Sequence, residues 1–299
     1  TSALQGNVAG LNFSTDAVAD GVGGEMGAEI KFNIRGTGSI NKGEPYVLID
    51  GVEQSLQNVN PNDIETISIL KDASAAAVYG ARAAYGVIIV TTKSGGKDKT
   101  RVSYNGTVGF SSPINMPKMM NSLEFAHYIN ERNDNDGKKH EISDALIEKM
   151  EGFMKNPYST EFPGIEPNQN KTNWASSKDA VYANTDWFDE FYKKNVPSTQ
   201  HNISLSGGSE KINWSVSGSF LKQNGLIRHG HDELDRYTVN SKIGAEIASW
   251  IRLDYNTKWT RTDYEKPQYL TGLFFHNIAR RWPTCPAIDP NGHWMDGME

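Results

Sequence analysis

From Lys211 to Phe220 the chain alternates without a break. Even positions hold Ile212, Trp214, Val216, Gly218 and Phe220, and odd positions hold Lys211, Asn213, Ser215, Ser217 and Ser219. A β-strand turns successive side chains to opposite faces, so this stretch has one apolar and one polar face. Arg101 to Phe110 repeats the pattern, with Val102, Tyr104, Val108 and Phe110 on one parity and Arg101, Ser103, Asn105 and Thr107 on the other. Tyr237 to Ile247 and Ile251 to Trp259 alternate with the apolar set on odd positions, and His201 to Gly207 is a shorter strand carrying Ile203 and Leu205. Runs of about ten residues reach across a bilayer when tilted, whereas strands of globular sheets average about five or six. The connections alternate too. Gly208–Glu210 and Ala248–Ser249 are tight turns, Gln223 to Leu234 is a longer polar loop, and residues 111 to 200 and 263 onward are much longer. Short turns on one side and long loops on the other are the pattern of an outer-membrane barrel. A soluble β-sandwich also alternates and is the competing reading.

No stretch approaches eighteen apolar residues, so a transmembrane helix is excluded, while membrane strands escape such averages. Seven Trp, twelve Tyr and eleven Phe are too many for a disordered chain, despite a mean hydropathy of -0.57. Thirty basic against thirty-six acidic residues give a formal charge of -6, which disfavours a nucleic-acid partner. The single cysteine, Cys285, excludes an internal disulfide and a Cys-based metal cluster. Enzyme signatures fail one by one. His140-Glu141 lacks the second His of HExxH, no GxSxG elbow occurs, and Gly36-Thr37-Gly38 is not followed by a third glycine. Asp134 and Asp136 hint at a calcium loop, but Arg132 and Ser143 occupy ligand positions. His229 and His231 have no evident third partner for a metal. The expectation is a non-enzyme without cofactor or metal.

Composition shifts near residue 97, where Gly95-Gly96-Lys97-Asp98-Lys99 reads as a hinge. Two domains are expected, residues 1–98 and 99–299. The first looks like a small α/β unit. Strands are expected at Lys31 to Arg35, Tyr46 to Ile49, Ile67 to Leu70 and Val87 to Thr92, the last buried on both faces. Asp50-Gly51 is a turn pair, Pro61 to Glu65 a helical turn, and Asp72 the cap of a short helix from Ala73 to Tyr79 stopped by Gly80. In the second domain, five strands cannot close a barrel. The chain opens Thr1-Ser2-Ala3-Leu4 without the features of an export signal. It is therefore expected to be part of a longer one.

The run from Pro61 to Gly95 (PNDIETISILKDASAAAVYGARAAYGVIIVTTKSG) closely resembles the plug signature of the SusC/RagA family of TonB-dependent outer-membrane transporters. Ile34-Arg35-Gly36 and Leu48 to Val52 match that family's RG and IDGV elements, and Asn184 to Phe188 and Ser204 to Lys211 resemble its early barrel segments. The resemblance implies a membrane β-barrel of about 22 strands with an N-terminal α/β plug in its lumen. It also implies coupling to the TonB–ExbB–ExbD complex, a SusD-like surface lipoprotein as lid, and a place in the outer membrane of a Gram-negative, Bacteroidota-like cell. The implied cargo is a large nutrient, an oligosaccharide first and an oligopeptide second. A small chelate such as a siderophore or cobalamin, or a passive receptor or adhesin, stand as alternatives. Tyr85 departs from the Asn of many members, and no TonB box is read in these residues.

On that resemblance the plug signature and candidate plug–barrel contacts are Arg35, Gly36, Asp50, Gly51, Asp63, Glu65, Lys71, Asp72, Tyr79, Gly80, Arg82 and Gly86. Each charged residue among them has a competing reading as a local cap or exposed charge, and the glycines suit turns and close packing. Outward aromatics such as Trp214, Tyr237 and Trp259 are expected in lipid or its interfaces. Val216→Arg should then cost about 2–4 kcal/mol at mid-membrane, and Ser217→Arg far less. Residues 111 to 200 are expected on the outer side, with helices at Leu123 to Asn133 and Ile142 to Phe153. Trp174, Trp187, Trp282 and Trp294 are candidate ligand-facing aromatics for a glycan or peptide, and packing that orders a long loop is the competing reading.

Overall fold

The computed structural model describes residues 12–14, 31–33, 45–56, 59–70, 77–80, 83, 85–96, 99–114, 116–175, 177–267 and 272–295. The chain forms two compact units. One comprises Thr1–Ser111, Asn195–Gly225 and His231–Pro267, the other Ser112–Lys194, Leu226–Gly230 and Gln268–Glu299.

In the first unit β1 (Asn12–Ser14) pairs antiparallel with β2 (Lys31–Asn33). A separate four-stranded sheet runs β4-β3-β6-β5, from β3 (Tyr46–Ile49), β4 (Val52–Glu53), β5 (Ile64–Leu70) and β6 (Val87–Thr92). The β-branched run of β6 makes it the central strand, parallel to β3 and antiparallel to β5. Val87, Ile88 and Val90 are fully buried, as expected of a strand covered on both faces. Ile88 and Val90 join Ile49, Leu56 and Val59 on one side, and Val87 joins Leu48 and Ala83 on the other. Asp50 and Gly51 both have positive φ, 50° and 84°, which a two-residue β3–β4 turn requires. β5 starts three residues earlier than the sequence suggests. A register shift between Ile64 and Thr66 lets the strand begin directly after the 3-10 turn Pro61–Asp63. Of the expected helix from Ala73, only the 3-10 turn Ala77–Tyr79 falls among the described residues. Asp72 and the end of the Lys31 to Arg35 strand lie outside them.

The same unit holds an antiparallel meander of β7 (Arg101–Ser111), β8 (Val196–Gly208), β9 (Ile212–Asn224), β10 (Glu233–Ala248) and β11 (Ile251–Glu265). These strands have 11, 13, 13, 16 and 15 residues. They outrun the apolar alternation because their far ends carry charge instead. There Lys222 pairs with Glu233 at 3.2 Å, and Arg261 with Asp263 at 3.0 Å. β8 begins five residues before the expected His201. Pro197 does not prevent this, because the ladder with β9 starts only at Ser198 and the Pro197 carbonyl on that side takes the Asn224 side chain instead. Only three residues separate β8 from β9 and two separate β10 from β11, against the long connections at the other end.

The register aligns side chains of one parity into lateral rows. One row is Arg101–Ser206–Ser215–Lys242, and the next is Ser103–Ser204–Ser217–Asn240–Lys258. The opposite parity carries Val102, Tyr104, Phe110, Val216, Tyr237, Val239, Leu253 and Trp259, all between 39% and 71% exposed. A soluble sandwich would bury that apolar face against a second sheet. Here the covered face is the polar one, as in a membrane wall.

The second unit is built from three separate chain segments. α1 (Ser122–Asn135) begins with a capping box in which Asn121 and Glu124 bond each other's backbone N–H. α2 (Asp144–Lys155) is capped by Ser143. Ala126 and Ile129 of α1 meet Leu146 and Met150 of α2, with Ile142 and Tyr182 beside them. α3 (Trp187–Phe191) is capped by Asp186, and its Phe188 and Phe191 rings meet Phe275 and Phe274 of α4 (Gly272–Arg280). The 226–230 segment is tied in where Arg228 donates to the Asp189 and Tyr192 carbonyls at 2.9 and 3.2 Å.

Candidate functional site

The strongest polar constellation lies where one end of the β4-β3-β6-β5 sheet meets the polar face of β8–β10. The β3–β4 turn fixes Asp50 in a left-handed conformation beside the end of β6. Its carboxylate accepts from the Thr92 N–H at 2.9 Å and the Thr92 hydroxyl at 2.7 Å. Its third partner is across the seam: Lys242 of β10 donates to Asp50 Oδ1 at 2.6 Å and to the Thr92 carbonyl at 2.8 Å. The Asp50 and Lys242 side chains are each 16% exposed. Burial alone would raise the Asp50 carboxyl, but the bonds from Lys242 and Thr92 outweigh it and hold it below its ordinary 3.8.

A second anchor stands beside the first. Asn60 caps the 3-10 turn by accepting from the Asn62 N–H at 3.0 Å, with Pro61 at the first turn position. This places Asp63, 5% exposed, where it accepts from Ser217 Oγ at 2.9 Å and Asn240 Nδ2 at 2.6 Å. Around these anchors Gln200 donates to Asn60 at 3.2 Å and Ser215 to the Lys93 carbonyl at 3.2 Å. The ends of the small sheet are thus held to the wall by hydrogen bonds and one ion pair. Such bonds exchange readily with water.

Sequence reasoning singled out Asp50 and Asp63, and the structure brings both to this seam. Glu65 is exposed and lines a cavity beside it. Gly51 and Gly80 have positive φ with nothing near an added Cβ, so both serve turns, and Gly86 also has positive φ. Tyr79 packs tilted against Tyr46, ring centroids 6.4 Å apart. Arg35, Gly36, Lys71, Asp72 and Arg82 lie outside the described residues. The wall residues Gln200, Ser215, Ser217, Asn240 and Lys242 went unnamed as contacts. Their shared polar parity was visible, but which members meet the plug depends on register across three strands. Ser217 is a correction: its hydroxyl holds Asp63, so an arginine there would disrupt the seam and is no neutral control for Val216.

In the second unit the four tryptophans differ. Trp187 is 2% exposed, with its indole N–H on the Trp282 carbonyl at 2.9 Å and Phe191 and Arg281 against its ring. Trp282 has Phe125 at 4.9 Å and the Lys178 ammonium at 4.7 Å from its ring. Both hold the loop unit together, the packing alternative of the sequence reading. Trp174 is half-buried, its enclosed indole N–H without a partner. Trp294, 53% exposed, makes a T-shaped contact with His229, ring centroids 4.5 Å apart.

Comparison with known proteins bears on the whole arrangement. Residues 1–87 match the family model described as TonB-dependent Receptor Plug Domain. The chain is 32% identical to the TonB-dependent receptor SusC of Bacteroides thetaiotaomicron, over 92% of this chain and 26% of that protein. It is 28% identical to the TonB-dependent receptor P26 of Formosa agariphila, over 98% of this chain and 26% of that one. Among solved structures it resembles the RagAB peptide importer in its closed-closed state, with a TM-score of 0.73 and 26% identity, over 99% of this chain and 32% of that chain. The chain spans about a quarter of the length of the curated relatives it matches.

Proposed function

This chain belongs to the SusC/RagA family of TonB-dependent outer-membrane transporters, as the plug and first barrel strands of such a protein, and we propose on that basis that the full-length protein actively imports a large nutrient across the outer membrane. The observation that carries the reading is the seam of Asp50 and Asp63 on β9 and β10. A stopper in a wet pore must fill it at rest and let go under a pull. Polar contacts that swap for water meet both demands, whereas a greasy interface would resist displacement. A passive receptor or adhesin has no use for a removable stopper.

In this reading residues 1–98 are the plug and 99–299 the first part of the barrel with its outer loops. The TonB–ExbB–ExbD complex supplies the pull, and a SusD-like lipoprotein covers the outer mouth. The protein is a transporter rather than an enzyme. Arg35, Lys71, Asp72 and Arg82 remain proposed plug–barrel contacts beside Asp50 and Asp63. Of the four tryptophans Trp294 has the geometry best suited to meet a ligand. An oligosaccharide is the first cargo proposed. An oligopeptide is the second, supported by the likeness to the RagAB peptide importer. The test is uptake of fluorescent oligosaccharide and oligopeptide mixtures by cells expressing the full-length protein, with and without TonB. Accumulation of one mixture that disappears without TonB is expected. Equal accumulation in both strains contradicts active import.

A further inference from the structure

Two plug carboxylates, Asp50 and Asp63, and two wall ammonium groups, Lys242 and Lys258, stand near one another at the seam. Among the described residues a single ion pair joins them, Lys242 to Asp50 at 2.6 Å. Asp63 takes neutral donors instead, Ser217 Oγ at 2.9 Å and Asn240 Nδ2 at 2.6 Å. Lys258 of β11 is the register partner of Asn240, one strand further along the same inner row. The charges of Asp50 and Asp63 reach it there. Yet its Nζ is enclosed without a hydrogen-bond partner among the described residues, and so is the Oδ1 of Asn240 on the neighbouring strand. The side chain is not among those that line the cavity beside the seam, so its enclosure is not that of an open binding site. One lysine of the inner face is thus a contact partner of the plug, and the other is shut in beside the plug without a contact of its own.

We propose that Lys258 works against the seam: its unpaired ammonium raises the free energy of the seated plug and so sets how small a pull releases it. The inference deepens the import reading above, which needs a plug that sits at rest and lets go when pulled. A charge taken out of water is costly unless a counter-charge and hydrogen bonds answer it. The enclosed Nζ of Lys258 has lost its water, and what it gains is attraction across a gap to two carboxylates, one of them already neutralised by Lys242. Attraction without a contact returns less than a hydrogen-bonded pair does, so the loss of water dominates. Release restores water to the three ammonium donors and to Asn240 Oδ1. Lys242 and Lys258 therefore act with opposite sign, although both are lysines on the same face of adjacent strands. A plain electrostatic clamp would have both ammonium groups touching a carboxylate.

The test replaces Lys258 by Met in the detergent-solubilised full-length protein and follows hydrogen exchange of the β6 amides against urea, with the β9 amides reporting the barrel. Lys258→Met should slow β6 exchange by at least about tenfold and leave β9 exchange as in the wild type, because an apolar side chain of similar length replaces an uncompensated charge. Lys258→Gln, which removes the charge but keeps a polar head, should move β6 exchange in the same direction and serves in place of a Met variant that fails to fold. In cells, Lys258→Met should lose TonB-dependent uptake of the fluorescent mixture relative to the wild type at equal surface amount. Unchanged β6 exchange makes Lys258 a bystander, and faster exchange makes it a distant holder of Asp63; either overturns the proposal. Slower exchange with undiminished uptake overturns it too, since the seam would then not set the pull. Absence of TonB-dependent uptake in the wild type overturns the import reading, while the exchange comparison still decides the role of Lys258 at the seam.

Discussion

Replacing Lys242 by Met removes the ammonium that joins Asp50 and the Thr92 carbonyl to the wall while keeping the length of the side chain. Both charged groups are 16% exposed, so the pair is largely out of water. Taking one partner from a buried pair costs about 3–5 kcal/mol, because the other charge is left uncompensated. Asp50 keeps its two bonds from Thr92, which places the expected loss at the lower end, about 3 kcal/mol. Asp50→Asn should cost a comparable amount, because it leaves the Lys242 ammonium without its carboxylate partner. The double variant should therefore be less damaged than the sum of the two, with a coupling of about 2 kcal/mol, as for residues in one network. Hydrogen exchange of the β6 amides in the detergent-solubilised full-length protein, followed against urea, reads plug release separately from barrel unfolding. Acidity gives an independent check. The folded Asp50 carboxyl lies below its ordinary 3.8. Its contribution is complete above that value and is lost as pH falls through the lower folded one, so plug release should increase below about pH 4 and the Asp50→Asn variant should show a flatter profile. A Lys242→Met protein as resistant as wild type, or strictly additive variants, would refute the latch.

Three further outcomes are expected. Gly95→Ala should loosen the linker by about 1–3 kcal/mol, because an added Cβ would press on the Trp214 and Gly207 carbonyl oxygens and neither backbone can yield; urea melting of the full-length protein measures it. Val216→Arg should cost about 2–4 kcal/mol in refolding into lipid vesicles. Trp187→Ala should cost about 3–5 kcal/mol in the loop unit and Trp294→Ala about 1 kcal/mol or less, as seen in hydrogen exchange of α3 and its surroundings.

The faces of β7–β11 were legible because period-2 alternation is a local property, readable from Ile212 to Phe220 without knowing any neighbour. The buried β6 was legible for the same reason, as an unbroken β-branched run. Strand lengths were not, since charges at Lys222, Glu233, Asp235 and Arg261 end the alternation before they end the hydrogen-bonded ladder. Asp50 and Asp63 stood out through the family's plug signature. Their partners did not, because Lys242 lies 192 residues from Asp50 and only the register of β8, β9 and β10 brings it there. Trp187 and Trp282 looked alike in sequence to Trp294, and only the fold, burying Trp187 and setting Trp282 against Phe125 and Lys178, separates them.

The whole account depends on β9 presenting even residues to lipid and odd residues to the plug. A cysteine scan from Ile212 to Phe220, each site carrying the same fluorophore, in bilayers whose acyl chains are brominated, tests this residue by residue. Strong quenching at 212, 214, 216, 218 and 220 with little at 213, 215, 217 and 219 is the expected result. A profile without that alternation, or one with the odd positions quenched, would contradict it.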